Sequence, residues 1–335
     1  MLTPLGISLL RQLADGEFLS GEDLAAKVGL TRARVSQVLK DAEAAGLALE
    51  RVKGRGYRLL ERPNFLDPAA VKARLATLDQ ERGLSTPVTI EVVDEIDSTS
   101  SELSRRMARR EVHAVALAAE LQTSGRGRRG KTWSGIFGGS LTFSLGWRFE
   151  QGAGFLAGLS LAVGVAVARS LEAEGFTGIG LKWPNDLIHK HLKFGGILIE
   201  LNGDALGPST TVIGIGLNIR LPAAIRAEIE QPVTDLATIA GKRAPAIDRN
   251  RLLARLLSEL AEVLARYSKE GFAAFAAEWQ HRHVYQGKLV RLLLPDGITV
   301  VGKVAGVDAS GALVLADGPR RTRFLSGEIS LRRNG

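Results

Sequence analysis

The chain of 335 residues carries 44 Lys and Arg against 36 Asp and Glu, a net charge of +8, and no cysteine. That length exceeds one ordinary domain, so two or three domains with substantial cores are expected. The missing cysteine excludes disulfides and thiolate metal sites and fits a reducing interior, while the positive balance favours anionic partners, nucleic acid and nucleotides alike.

The first thirteen residues, MLTPLGISLLRQL, lack both a basic leader and a long apolar core, so they do not form a secretory signal. Leu5, Leu9, Leu10 and Leu13 recur at helical spacing. Ser20 and Asp23 then form a capping box ahead of Leu24, Ala25 and Val28, and Gly29 supplies a tight turn. Thr31 caps a third helix with Val35, Val38, Leu39 and Ala42 inward, Arg32, Arg34, Ser36, Gln37 and Lys40 outward, and Gly46 at its end. The segment 49–60, LERVKGRGYRLL, reads as a hairpin with Lys53 and Arg55 at its tip. The pattern is a winged helix-turn-helix over 1–62, with DNA contact expected from Thr31, Arg32, Arg34, Ser36, Gln37, Lys40, Lys53 and Arg55. A small packing module with solvated charges is the alternative, since ten basic residues meet eight acidic ones in this segment.

Pro63 and Pro68 bracket a linker, and 63–85 is read as linker and helix. Further on, Val88–Val93 reads as a strand, Ser98 caps a helix carrying Leu103 and Met107, and Ala114–Leu121 is a second strand. Next comes GRGRRGKTW, Gly125–Trp133, which matches the phosphate-binding pattern G-x-x-x-x-G-K-[ST]. That pattern demands a following helix, but here Leu141, Phe143, Leu145, Trp147 and Phe149 alternate at period two, a strand. A glycine-rich loop dense in cations therefore reads as a flexible anion clamp and not as a nucleotidase loop. The uncharged run 152–168 is short for a membrane span and dotted with glycine, so a buried helix and a soluble, cytoplasmic protein without a membrane partner are expected. After it, 179–183 leads into Pro184, Asn185 and Asp186. KFGGILIEL (193–201) and TVIGIGLNI (211–219) read as buried strands whose Gly195, Gly196, Gly214 and Gly216 admit something close to the backbone beside Lys193, or else mark bulges.

Five segments in order, DSTS (97–100), QTSGRGRRGKTW (122–133), KWPNDL (182–187), KFGGIL (193–198) and GIGLN (214–218), resemble the biotin protein ligases of the bifunctional type that also represses transcription. The resemblance runs from the winged helix to GKLVRLLLPDG and GEISLR near the C-terminus. It implies an α+β multidomain protein with a central α/β ligase domain and mixed sheet over 86–284 and a small SH3-like β-barrel over 285–335.

By the same resemblance, biotin and ATP form biotinyl-5′-adenylate, and a lysine of a biotin carboxyl carrier protein then takes the acyl group, with Mg²⁺ arriving with the nucleotide. Ser98, Thr99, Gln122, Gly125, Arg126, Arg128, Lys193, Gly196 and Gly214 are implied on the biotin side. Arg126, Arg128, Arg129, Trp133, Asn185, Lys193 and Asn218 are implied toward the adenylate. Lys193, Arg126, Arg128 and Asp186 are the implied catalytic set, Asp186 orienting the incoming amine. Trp133 serves equally as core, Asp186 as a turn residue and Asn218 as a strand-end cap.

Two departures stand out: Lys131 where arginine is common in the family, which replaces a bidentate fork with a point charge, and Ser100 where asparagine is common. His189, His191, His281 and His283 have i,i+2 spacing without companion ligands, so they read as solvated and no protein metal site is expected. A homodimer on operator DNA is expected when the adenylate is bound. The alternative class is a DNA-binding biotin sensor with a degenerate ligase domain. A lipoate ligase would share the scaffold without this clamp.

Overall fold

A computed structural model describes residues 4–44, 47–60, 64–109, 112–203, 207–241 and 247–331. Gly46 and Pro63, two of the expected boundary residues, lie outside the described residues. The N-terminal unit is α1 (Pro4–Gln12), α2 (Gly21–Val28), α3 (Arg32–Ala44) and a hairpin of β1 (Leu49–Val52) and β2 (Gly56–Leu59). The caps form as the residue types require: Ser20 Oγ accepts from Asp23 N at 3.0 Å, and Gly29 closes α2 at φ 68°. Val35, Val38, Leu39 and Ala42 pack with Leu9, Leu10, Leu13 and Leu24 in a closed core.

That core is completed from elsewhere in the chain, because Phe137 belongs to it and packs tilted against Phe65, ring centroids 5.6 Å apart. Arg11 of α1 lies over the Phe65 ring at 4.6 Å and donates to Asp94 at 2.6 and 2.9 Å, so the winged helix is docked on the central domain.

The central domain continues with α4 (Pro68–Arg82), β3 (Thr89–Ile96), α5 (Thr99–Met107), β4 (Val115–Gln122), β5 (Ser140–Phe149) and α6 (Leu159–Ala173). Then come β6 (Gly180–Lys182), β7 (Asp186–His189), β8 (Leu192–Gly203), β9 (Ser209–Asn218), α7 (Ala223–Glu228), α8 (Leu236–Ala240), α9 (Arg249–Glu270) and α10 (Ala276–Arg282). The strands form one mixed sheet in the order β3-β4-β5-β9-β8-β7-β6, in which β3 and β4 are parallel and every other pair is antiparallel. The buried helix expected over 152–168 begins at Leu159, after a 3₁₀ turn over Ala153–Leu156.

The two faces of this sheet differ, and the difference positions the site. On β5 the large residues Leu141, Phe143, Leu145, Trp147 and Phe149 enter the main core with α6 and α9. The small alternates Thr142 and Ser144 pair with Gly216 and Gly214 of β9, which pair in turn with Gly196 and Leu198 of β8. Directly opposed residues share a face. Three adjacent strands therefore present hydroxyls and glycines on the side where α5 packs, leaving a hollow. β8 is half-buried where the pattern predicts full burial, and its last three residues are exposed.

The C-terminal unit is a five-stranded antiparallel sheet of β10 (Leu289–Leu293), β11 (Thr299–Val307), β12 (Leu313–Asp317), β13 (Arg320–Phe324) and β14 (Glu328–Leu331), in the order β13-β12-β11-β10-β14. One histidine expected in solvent is not there: His283 is 4% exposed between Trp279 and Tyr285, and burial pushes its pKa down to about 3. The i,i+2 spacing concealed this, because α10 ends at Arg282 and turns the following residue inward.

Candidate active site

The hollow is lined by β4, β5, β8, β9, the N-terminus of α5, the clamp and the first residues of β14. At one end sits a hydroxyl network. Ser98 caps α5, its Oγ 3.1 Å from Ser100 Oγ, and Thr99 Oγ1 lies 2.8 Å from Ser144 Oγ. Thr99 N and Oγ1 both donate to Gln122 Oε1, at 2.7 and 3.1 Å, which leaves the Gln122 amide donors toward Gly125. Buried hydroxyls locked this way offer fixed donors and acceptors to a small polar headgroup.

The clamp is closed on itself. Trp133 N donates to Gly125 O at 2.9 Å and Gly127 N to Lys131 O at 2.7 Å. Its glycines serve two ends: a Cβ on Gly125 would meet Trp133 O at 2.4 Å, whereas Gly130 has open space and takes φ 71°, a conformation that favours glycine. Arg129 adopts φ 55°, a left-handed conformation rare outside glycine. The Trp133 ring lies on Gly216, where a Cβ would stand 2.4 Å from Cε2, and reaches toward Gly196. At Gly216 the close approach inferred from the glycines is thus made by the chain's own indole.

Most of the clamp cations have carboxylate partners. Arg126 meets Glu200 at 2.7 Å, and Lys131 meets Glu328 of β14 at 2.9 Å, holding the Glu328 carboxyl below its usual range. Lys193 meets Asp186 at 2.6 Å, and Lys182 approaches the same carboxylate at 3.4 Å. Arg128 differs. Its one hydrogen-bond partner among the described residues is Asn185 Oδ1 at 3.3 Å, and burial together with neighbouring Arg129 pushes its pKa below the usual arginine value. The carboxylates of Asp186 and Glu328 act on it only from a distance and do not offset that burial, and an incoming anion relieves the remaining cost.

Of the residues named from sequence, Ser98, Thr99, Gln122, Arg126, Arg128, Trp133, Asn185, Asp186, Lys193, Gly196 and Gly214 line the hollow together. Gly125, Arg129 and Asn218 do not. Gly125 packs behind the clamp, Arg129 points toward Glu328 at 4.0 Å, and Asn218 donates from the end of β9 to Thr234 O at 3.1 Å. Sequence reasoning missed Lys182, Glu200, Gln231 and Glu328. Lys182 and Glu328 stand inside quoted segments, so a rule that pairs every clamp cation with a carboxylate would have raised Glu328 at least.

On the N-terminal unit, Thr31 Oγ1 accepts from Arg34 N at 3.3 Å, while Arg34 and Lys40 are exposed. Arg32 pairs with Glu22 at 3.4 Å and Gln37 donates to Asp41 at 2.9 Å, with Ser36 half-buried between them. Lys53 is exposed at the hairpin tip and Arg55 stacks on Phe18 at 4.2 Å. Phe18 was not foreseen.

Comparison with known proteins bears on the same three units. Residues 7–58 match a helix-turn-helix domain, 92–218 the biotin/lipoate A/B protein ligase family, and 286–332 the biotin protein ligase C-terminal domain. The chain is 34% identical over 331 residues to the bifunctional ligase/repressor BirA of Salmonella typhimurium, covering 98% of each chain. The chain belongs to the bifunctional biotin ligase/repressor family. The Escherichia coli member is 35% identical over 97% of both chains. A solved biotin protein ligase from Aquifex aeolicus, in complex with biotin and ATP, matches 73% of this chain and 99% of its own with a TM-score of 0.62 and 30% identity. In this family member no described helix is long and apolar enough to cross a membrane.

Proposed function

We propose that the chain is a cytoplasmic, ATP-dependent biotin protein ligase that also represses transcription of biotin genes. The observation that carries this reading is Arg128: a half-buried cation with no direct ion pair among the described residues, at the edge of a glycine floor, in the same hollow as Lys193 and Trp133.

In the first step a biotin carboxylate oxygen attacks the α-phosphorus of ATP, an O–P bond forms, and the bond to pyrophosphate breaks with its electron pair leaving on pyrophosphate. Two anions must meet, so Arg128, Arg126 and Lys193 offset charge that grows at the phosphorus. Arg126, with Nη1 on Glu200, keeps its remaining donors for the ligand. The Ser98, Thr99 and Gln122 network fits the polar head of biotin, and the Trp133 ring over Gly216 forms a flat wall toward the nucleotide.

In the second step a carrier lysine amine attacks the acyl carbon, the acyl C–O bond breaks, AMP departs with the electron pair, and the amine loses a proton. Asp186 orients the amine from its place between Lys193 and Lys182. Mg²⁺ would be brought by the nucleotide and would supply neutralisation of phosphate charge. A donor set of guanidinium and ammonium groups suits a metal held by phosphates and water, and no group of three metal-ligating side chains occurs among the described residues.

Division of labour follows four segments: DNA binding by 1–62, a linker and helix over 63–85, catalysis by 86–284 and the C-terminal sheet domain over 285–335. Adenylate favours a homodimer that spans two operator half-sites. A sensor with a degenerate ligase domain has no support in the site, where Lys193, Arg126 and Arg128 all converge. The test is incubation with biotin, ATP and a biotin carboxyl carrier domain, with lipoate in parallel. Pyrophosphate release and labelled carrier are expected with biotin alone, and a preparation that never forms the adenylate refutes the ligase. Tighter operator shifts and a doubled sedimentation mass are expected with biotin and ATP; no ligand effect refutes the switch.

A further inference from the structure

The C-terminal domain has an outward face that the catalytic steps leave unused. Registers of β10 with β11 and β14 set Leu289 opposite Lys303, Arg291 opposite Val301 and Ser330, and Leu293 opposite Thr299 and Glu328. Directly opposed side chains lie on one face, and the alternates Val290, Leu292, Val304 and Ile329 are buried in the core. The outer row is open: Leu289 is 45%, Leu293 43% and Val301 40% exposed. The three flank Arg291, Leu289 and Leu293 along its strand and Val301 across from it, so they form one apolar row on the outer face and not scattered single residues.

Charge narrows the occupant. Residues 285–335 hold eight basic residues against four acidic, about half the net charge of the whole chain in this short segment. Neither Arg291 nor Lys303 has an ion-pair partner among the described residues, whereas the clamp cations Arg126 and Lys131 do. The one carboxylate on this face, Glu328, is committed to Lys131 at 2.9 Å and lines the active-site hollow. The face therefore begins at the wall of the site and extends away from it with an unneutralised positive charge.

We propose that this face of β10, β11 and β14 is the docking surface for the carrier domain, through an acidic patch of that domain. The inference rests on the reading of the hollow as a biotin ligase site. The acyl group waits inside the hollow, and a lysine on its four-carbon stem reaches it only if the carrier body sits at the rim. Three exposed aliphatics among cations fit a protein partner with an apolar centre and an acidic border. DNA has no use for that apolar row, because phosphate recognition is polar. A second copy of this chain would set like charge against like across a two-fold interface.

Arg291→Glu/Lys303→Glu tests the surface, with Arg291→Gln/Lys303→Gln as a milder companion that preserves folding. Biotin-dependent ATP–pyrophosphate exchange should match wild type in both, which shows an intact fold and first step. The KM for the carrier domain should rise about 10-fold or more in the charge-reversed protein, less in the neutral one, with kcat retained at saturation and with a weaker salt dependence, as expected when charges at an interface rim are altered. An unchanged carrier KM and salt dependence overturns the proposal. So does a defect confined to operator shifts, which would assign the face to DNA, or one confined to sedimentation, which would assign it to self-association. Wild-type protein that makes no adenylate would instead fail the ligase reading.

Discussion

Replacing Arg128 by methionine separates binding chemistry from stability. In the folded chain the guanidinium makes one hydrogen bond, to Asn185 at 3.3 Å, and no ion pair among the described residues, while burial opposes its charge. Losing a long hydrogen bond to a neutral partner costs about 1 kcal/mol or less. Removing a half-buried cation whose desolvation outweighs the distant pull of Asp186 and Glu328 returns a similar amount, so the stability of Arg128→Met should stay close to that of wild type. Adenylation should suffer. One preorganised charge donor is lost from the developing phosphorus centre, worth roughly 3 kcal/mol, or about 100- to 1,000-fold in rate. Arg128→Lys should recover part of this, since it keeps the charge without the planar fork. The assay is biotin-dependent ATP–pyrophosphate exchange beside urea denaturation of the same preparations. Near-normal exchange, or a denaturation midpoint that falls along with the rate, refutes the reasoning.

Lys193→Ala removes an ammonium 2.6 Å from Asp186 and should lower adenylate formation by several kcal/mol of transition-state stabilisation, about 100-fold or more, read by pyrophosphate release. Gly216→Ala places a methyl 2.4 Å from the Trp133 ring and should weaken nucleotide binding by calorimetry, with an overpacking cost of about 1–3 kcal/mol. Gly214→Ala, whose nearest protein contact is 3.5 Å, should leave the denaturation midpoint unchanged. His283 is neutral in the fold with a pKa of about 3 against 6.5 when free, so the unfolded chain gains a proton as pH falls below 6.5 and stability drops. The loss should reach about 2 kcal/mol by about pH 5 and flatten in His283→Phe, measured by denaturation at both pH values. A chain beginning at Asn64 should lose operator binding, and exposing Phe137 and Asp94 should lower its solubility or stability as well.

Local chemistry was legible wherever a short stretch decides its own shape. Ser20 with Asp23, Gly29, Thr31 and Ser98 are caps and turns set by their own side chains and neighbours. The alternation from Leu141 to Phe149 turned the apparent phosphate loop into a clamp followed by a strand, and β5 is that strand. Its small alternates, Thr142 and Ser144, carried a second message that went unread: they make one face of the sheet hollow. Family resemblance supplied residue roles that spacing does not contain.

Pairing across the fold was not legible. Lys131 meets Glu328, Arg126 meets Glu200 and Phe137 completes the core of the winged helix, contacts that depend on sheet order and domain docking instead of local pattern. The same holds for His283, turned into the core one residue past a helix end. Residue order thus determined which segments become helix, strand or cation-rich loop and which chemistry they carry, because backbone geometry and hydrophobic period act over a few residues. Only the tertiary structure decided which cations are neutralised and that Arg128 makes no direct ion pair among the described residues, because Coulomb and desolvation energies depend on distance through space.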